Sequence, residues 1–408
     1  MSQISIATPT PTRNYAGWML IGVSFAHLLN DAMQSIVPAS FPLLRESMNL
    51  SFAQVGWVAF TLNVTASVLQ PLIGYYADRR PMPSLLPIGM LFSLVGVLGF
   101  ALASTLWMLL FAAALIGIGS SVLHPESSRV AHMAAGKGRG MAQSIFQVGG
   151  NTGQALAPLM VAFVLAPLGQ HGFLWMIVLA MIGLVVQMVI SRWYRQQLNY
   201  TGHMKKKQTE SDTQTVPNKG FIIFVMGILM VLLFSKFVYI AGMTGYYSFY
   251  YVKHYQLPLP RAQVCLFVLQ FAGMIGTLLG GKFADRFGRK KMIWFSIAGT
   301  APFSILLPYA SPAFALILCF LIGLILMSGF SVIIVYAQEL LPSLVGTVSG
   351  LFFGFSFGMA GLGSVILGSL MDKTSVEFVI QLCAFLPLLG IFAFLLPSDA
   401  RLKAAGRV

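Results

Sequence analysis

Charge is what this sequence has least of. Of its 408 residues only 9% are Asp, Glu, Lys or Arg, while 57% are hydrophobic; a soluble domain carries about 25% charged residues. A water-soluble fold is thereby excluded, and a chain whose solvent is lipid is expected. Cysteine is scarce as well. Cys265, Cys319 and Cys383 lie singly inside apolar stretches, which leaves neither a disulfide framework nor a cysteine metal cluster, so redox and zinc chemistry are set aside. Acids are the rarer charge: 11 Asp and Glu stand against 25 Lys and Arg, a net charge of +14. In a soluble protein that excess raises nucleic acid as a partner; here the placement of the basic residues decides.

What is present is a series of long apolar runs. A helix needs about 20 apolar residues to cross a bilayer, because hydrocarbon offers no partner to an unpaired backbone group. Twelve such runs are read, the first at 16–40 and the last at 376–396. The first fifteen residues are polar and carry no cleavable signal pattern, so the first run is expected to stay as an anchor. With the N-terminus placed in the cytoplasm, twenty basic residues fall on inner segments and four, Arg45, Lys253, Arg261 and Lys373, on outer loops. That asymmetry puts both termini inside. The net charge is then mostly topology, its partner is anionic lipid, and nucleic acid is not expected as a partner.

The only long polar stretch between runs is 192–219, read as a disordered cytoplasmic linker. The expected organisation is a cytoplasmic tail (1–15), a first six-helix bundle (16–191), the linker (192–219), a second six-helix bundle (220–397) and a second tail (398–408). The halves echo each other: Gly74, Asp78 and Arg79 follow the second run, and Gly281, Asp285, Arg286, Gly288 and Arg289 follow the eighth, with Gly to Gly and Asp to Asp each 207 residues apart. Such a repeat marks a transporter of two similar bundles moving about a central site. The second copy resembles the cytoplasmic loop signature of the major facilitator superfamily. Gly281 is expected to allow close helix approach, Asp285 to accept from a helix N-terminus or a basic group, and Arg286 and Arg289 to hold the loop in water. The first copy has Pro81 and Pro83 where the second glycine and basic cluster belong, so its latch is expected to be weaker. A near-match to a phosphate-binding loop, Gly276 to Phe283, lacks the final Ser or Thr and follows no strand, which argues against an ATP-driven pump.

Polar side chains inside apolar runs are functional candidates, since a charge at mid-bilayer costs about 3 kcal/mol on insertion scales. In the first run His27, Asn30 and Asp31 sit near the middle, His27 and Asp31 one helical turn apart. A desolvated carboxyl holds a proton near neutral pH, so Asp31 is the first candidate for proton coupling; a bond to its own His27 is the structural alternative. In the fourth run His124, Glu126 and Arg129 flank Pro125, where a kink is expected, and Glu126 and Arg129 are spaced to pair. They read either as an entry that receives an anion and a proton or as an interfacial ion pair. The fifth run puts Gln143, Gln147, Asn151 and Gln154 on one face, a stripe suited to a water-filled cavity. Beside it Gly149, Gly150 and Gly153 read chiefly as tight helix packing, with a degenerate similarity to a small-residue motif of drug antiporters. Lys236 stands alone in the seventh run, repeat partner of the first, available to neutralise Asp31 or Glu126 or to hold an anion. Tyr239, Tyr246 and Tyr250 share a face beyond it; phenols there suit phosphate-like oxygens, and an interfacial aromatic belt is the alternative for Tyr250 and Tyr251.

Segments along nearly the whole chain, among them 26–34, 119–129, 142–151, 335–342 and 350–355, closely resemble the fosmidomycin-resistance efflux proteins. The resemblance implies an all-α integral membrane protein of 12 transmembrane helices, in two pseudo-symmetric six-helix bundles around a central cavity. It also implies a bacterial inner-membrane exporter of small anionic phosphonates, fosmidomycin and fosfomycin, by proton antiport. No cofactor, no metal and no enzymatic activity are expected, and the chain is read as a monomer whose partners are the small anionic substrate, protons and lipid. Lys236, Arg129 and the histidines suit an anion, since phosphonate oxygens need basic or hydrogen-bonding partners. Moving a dianion outward with about 100 mV, inside negative, gains roughly 4.6 kcal/mol, so uniport is an open alternative to antiport. Uptake or exchange of an organic phosphate, sugar or other metabolite is the rival function.

Overall fold

The computed structural model describes residues 13–134, 139–202, 219–341 and 345–397. All the regular structure in them is helical. The first half contains α1 (Arg13–Ala39), α2 (Phe41–Met48), α3 (Phe52–Arg79), α4 (Leu85–Leu102), α5 (Leu106–Ala134), α6 (Arg139–Met160), α7 (Ala166–Leu168) and α8 (Phe173–Gly202). The second contains α9 (Lys219–His254), α10 (Leu259–Phe287), α11 (Arg289–Ala298), α12 (Ala301–Leu306), α13 (Pro312–Met327), α14 (Phe330–Leu340), α15 (Val345–Lys373) and α16 (Val376–Ala384), and a 3-10 stretch, Leu386–Leu395, closes it.

Ten of the described helical stretches are long and apolar enough to cross a membrane. Twelve were expected, and the difference has local causes. In α1 the polar set His27, Asn30, Asp31 and Gln34 dilutes an otherwise apolar helix. The fifth and sixth runs form one continuous helical stretch, Ile145–Leu198, which turns through a π segment (Val161–Leu165) after Pro158 and then a 3-10 turn at Gly169, where φ is +63°. The polar segment after the sixth run is shorter than expected, because α8 continues to Gly202. The remainder of the expected linker (203–218) and both expected tails, apart from 13–15 and the first residues of α1, lie outside the described residues.

Two helix pairs make most of the junction between the halves: α3 lies along α15, and α6 lies against α10. At the end far from the chain termini the junction is closed by hydrogen bonds. The Asp372 carboxylate, at the end of α15, accepts from the amides of Phe52 (2.9 Å) and Ala53 (2.8 Å) at the start of α3. Those amides are the unpaired donors that every helix N-terminus leaves. Ser51 already caps the same helix reciprocally with Gln54. Gln263 of α10 donates to the Ala39 carbonyl, 2.8 Å away, at the end of α1.

Inside the first half, α1 and α6 meet at backbone distance. A Cβ on Gly149 would sit 2.0 Å from the Ser24 carbonyl oxygen, and one on Gly153 would sit 2.1 Å from that of Leu28. The small-residue stripe is therefore a packing seam, and it brings the amide face of α6 onto the polar face of α1. The second half uses the same device at Gly276 and Gly280, whose added Cβ atoms would meet Leu324 and Ser328 carbonyl oxygens. Gly276 thus lies in a helix interior rather than in a phosphate-binding loop. Gly281, which was expected to permit close approach, faces open space; that task belongs to its neighbour Gly280.

Candidate transport site

Asp31 is the centre of a buried polar cluster built by three helices. On α1, His27 lies one turn before it, with Nε2 3.4 Å from Asp31 Oδ1. From α5, His124 Nε2 comes to the same 3.4 Å from Oδ1. From α6, Gln154 donates to Oδ2 at 2.9 Å, and Asn30 donates to Oδ1 at 3.1 Å. His27, Asn30 and Asp31 are buried; His124 keeps 20% of its side chain exposed.

The tautomers follow from the partners. His27 Nδ1 lies 2.8 Å from the Phe146 carbonyl, and His124 Nδ1 lies 2.9 Å from the Ser120 carbonyl. A carbonyl only accepts, so both Nδ1 atoms carry hydrogen. Both Nε2 atoms therefore turn toward the carboxylate. With both rings neutral, two lone pairs face a carboxylate oxygen, and the arrangement becomes attractive when one proton is added, whether on carboxyl or imidazole. One added proton also makes the group electrically neutral, the state that burial favours.

A cavity of about 60 Å³ between α6 of the first half and α9, α10 and α13 of the second lies next to this cluster. Asn151 and Gln154 line it from the first half; Tyr239, Thr244, Gln270 and Met274 are among the second-half residues that line it. The amide stripe thus faces the cavity at two of its four positions. Gln147 stands beside it, donating to Asn151 at 3.4 Å, and the Gln143 side chain lies outside what is described. Gln154 links the two regions, since it lines the cavity and also bonds Asp31.

The other candidates are distributed differently from the sequence reading. Lys236 is 0% exposed; its Nζ donates to the Leu326 carbonyl at 2.7 Å and lies 5.4 Å from the Phe330 ring centre. It stands behind the cavity wall, which Leu326 lines, and forms no ion pair with Asp31 or Glu126. A lone ammonium in an apolar bundle takes a carbonyl where no carboxylate reaches it. Glu126 and Arg129 also stand away from the cavity lining, and both lie close enough to the Tyr194 hydroxyl of α8 to act on it electrostatically. Tyr194 was missed in the sequence reading: it sits near the end of an apolar run, on a different helix from Glu126 and Arg129.

Tyr246 is spent on structure, donating to the Ser364 carbonyl at 2.6 Å, so of the tyrosines named only Tyr239 lines the cavity. Tyr250 and Tyr251 are buried, and Tyr250 donates to the Pro308 carbonyl at 2.5 Å; they form no interfacial belt. The loop residues have separate fates. Gly288, at φ +91°, makes the turn from α10 to α11 that an L side chain resists. Arg289 pairs with Glu339 at the end of α14. Asp285 and Arg286 are exposed, and Asp285 forms no ion pair with another described residue. Gly74 lies within α3 near Pro125 of α5, while the Asp78 and Arg79 side chains lie outside what is described.

Comparison with known proteins agrees with this architecture. The family model described as Major Facilitator Superfamily matches residues 23–364. A protein of Escherichia coli (strain K12) described as "Fosmidomycin resistance protein" is 47% identical over 96% of this chain and 96% of its own. One of Bacillus subtilis (strain 168), described as "Uncharacterized MFS-type transporter YfnC", is 45% identical over 94% of each. Among solved structures, that of a D-xylose-proton symporter superposes with a TM-score of 0.73 at 17% identity, covering 93% of this chain and 97% of that one.

Proposed function

Because this chain belongs to the major facilitator superfamily, we propose that it exports small anionic phosphonates from the bacterial cytoplasm by proton antiport, its two halves giving access to the central cavity from each side in turn. It is a multi-pass membrane transporter and not an enzyme. Fosmidomycin is the first proposed substrate, from the near full-length likeness to a fosmidomycin resistance protein; fosfomycin, smaller and of the same charge type, is the second.

The observation that carries the coupling is the position of Asp31. It holds two histidine Nε2 atoms at equal distance and shares Gln154 with the cavity. A proton gained or lost at the cluster changes what Gln154 donates to, and so changes the cavity wall. His27, Asp31 and His124 form the proton site in this reading, with Glu126, near Arg129 and Tyr194, as a second acid. Lys236, one helical turn from Tyr239, is the cation that meets the substrate's phosphonate when its bond to the Leu326 carbonyl is exchanged for one to the anion. Asn30, Gln147 and Asn151 orient groups around them. The excess of basic residues on one set of loops supports cytoplasmic termini, an inner-membrane location and opening of the loops at Gly74 to Arg79 and Gly281 to Arg289 on the cytoplasmic side.

Expression in a phosphonate-sensitive bacterium should raise the inhibitory concentration of fosmidomycin several-fold, and unchanged or increased sensitivity would reject export. In vesicles with pH gradient and membrane potential imposed separately, flux should follow the pH gradient, and Asp31→Asn should abolish that dependence. Flux that follows potential alone would mark uniport.

A further inference from the structure

The His27, Asp31 and His124 cluster has a geometry that a shared proton does not require. One ligand atom from each of His27, Asp31 and His124 lies within 4.8 Å of the other two. The two nitrogen to oxygen separations are both 3.4 Å. A metal ion with ligand bonds of about 2.0–2.2 Å in tetrahedral geometry separates its ligands by about 3.4 Å. At 3.4 Å the nitrogens are long for hydrogen bonds to the carboxylate. His27 Nε2, on a buried ring, accordingly has no hydrogen bond among the described residues and is aimed into the cluster.

The surroundings are those of a ligand set as well. Each ring is fixed through Nδ1 by a main-chain carbonyl, Phe146 for His27 and Ser120 for His124. Metal-bound histidines are oriented in this way, by a hydrogen bond from the other ring nitrogen. Asp31 is held in turn by Gln154 and Asn30. His27 is clamped sterically, stacked on Phe146 with ring centres 4.1 Å apart and backed by Gly150, where an added Cβ would sit 2.4 Å from the ring. Two neutral imidazoles and one carboxylate are the donor types that zinc and cobalt(II) accept. The sequence showed only part of this set: His27 and Asp31 are one turn apart on α1, while His124 comes from α5, 93 residues further on.

We propose that this cluster binds a divalent transition metal ion of the zinc type, and that the ion takes the place of the coupling proton and arrests transport. His27 Nε2, His124 Nε2 and one Asp31 oxygen are the protein ligands, with the fourth position left to water. The ion cannot occupy the same three atoms as a proton, so zinc acts as a competitive inhibitor of the proton. The inhibition rests on the coupling reading; the binding does not.

The test uses the purified full-length protein with cobalt(II) as probe, whose visible absorption intensifies on four-coordination. One cobalt per chain should give that band, and zinc should bleach it. His124→Gln and Asp31→Asn should each weaken binding by at least about tenfold, with helix content by circular dichroism unchanged. His124→Cys should keep the ion and add a thiolate charge-transfer band, a result that simple misfolding does not give. Absence of the band in the native protein, or its persistence in both weakening variants, overturns the site. In vesicles, zinc at the concentration that bleaches the band should stop proton-driven efflux, and a chelator should restore it. Undiminished flux with zinc bound overturns the inhibition and leaves the site standing. Efflux that never depended on the pH gradient instead removes the coupling reading.

Discussion

At the scale of the residue, Lys236 and Asp31 show two ways of keeping a charge in an apolar bundle. Asp31 accepts from two side-chain amides and faces two imidazoles, whereas Lys236 has a single carbonyl at 2.7 Å and an aromatic face. A buried charge so lightly paired contributes little to folding, because its desolvation offsets most of what the contact gains. Lys236→Met should therefore change stability by less than about 1 kcal/mol, readable as a small shift in thermal unfolding, while phosphonate affinity falls about tenfold or more, as loss of a charge-assisted contact implies. A variant that binds as well as the native protein would remove Lys236 from the proposed site. Both residues were legible in the sequence as charges at membrane depth. Their surroundings were not: His124 reaches Asp31 from another helix, and the Leu326 carbonyl that holds Lys236 carries no side-chain signal.

At the scale of the element, glycines in similar helices do opposite things. Gly153 lets α6 lie on the Leu28 carbonyl, while Gly281 faces open space. Gly153→Ala should cost more than about 2 kcal/mol, since the seam of backbone and small residues cannot yield. Gly281→Ala should stabilise by up to about 1 kcal/mol through helix propensity alone. Thermal unfolding of the two variants in the same detergent measures the contrast, and equal effects would refute the packing account. The stripe Gly149, Gly150 and Gly153 was readable in sequence as a packing seam. Which glycine of the Gly280 and Gly281 pair packs was not, because adjacent helix positions differ by about 100° in direction and only a neighbouring helix tells them apart.

At the scale of the whole molecule, the repeat spaced by 207 residues pointed in sequence to two similar halves. The junction between them was not readable. Asp372 looks in sequence like an acid at the end of a run, and its acceptor role appears only when α3 presents its free amides from the other half. Asp372→Ala should loosen the far end and favour opening there. Ser364, buried near the same junction, offers a reporter: in Ser364→Cys, labelling by an impermeant maleimide should quicken several-fold when Asp372 is also replaced. The three native cysteines are buried and give a low background. An unaltered rate would show that the contact does not hold the halves.

The make-up of that far end has one more consequence. It is closed by Asp372 on two amides and by Gln263 on a carbonyl, and no pair of opposite side-chain charges crosses it among the described residues. Dissolved ions weaken exposed charge pairs strongly and short hydrogen bonds to the main chain little. The seal should therefore hold as firmly at high salt as at low.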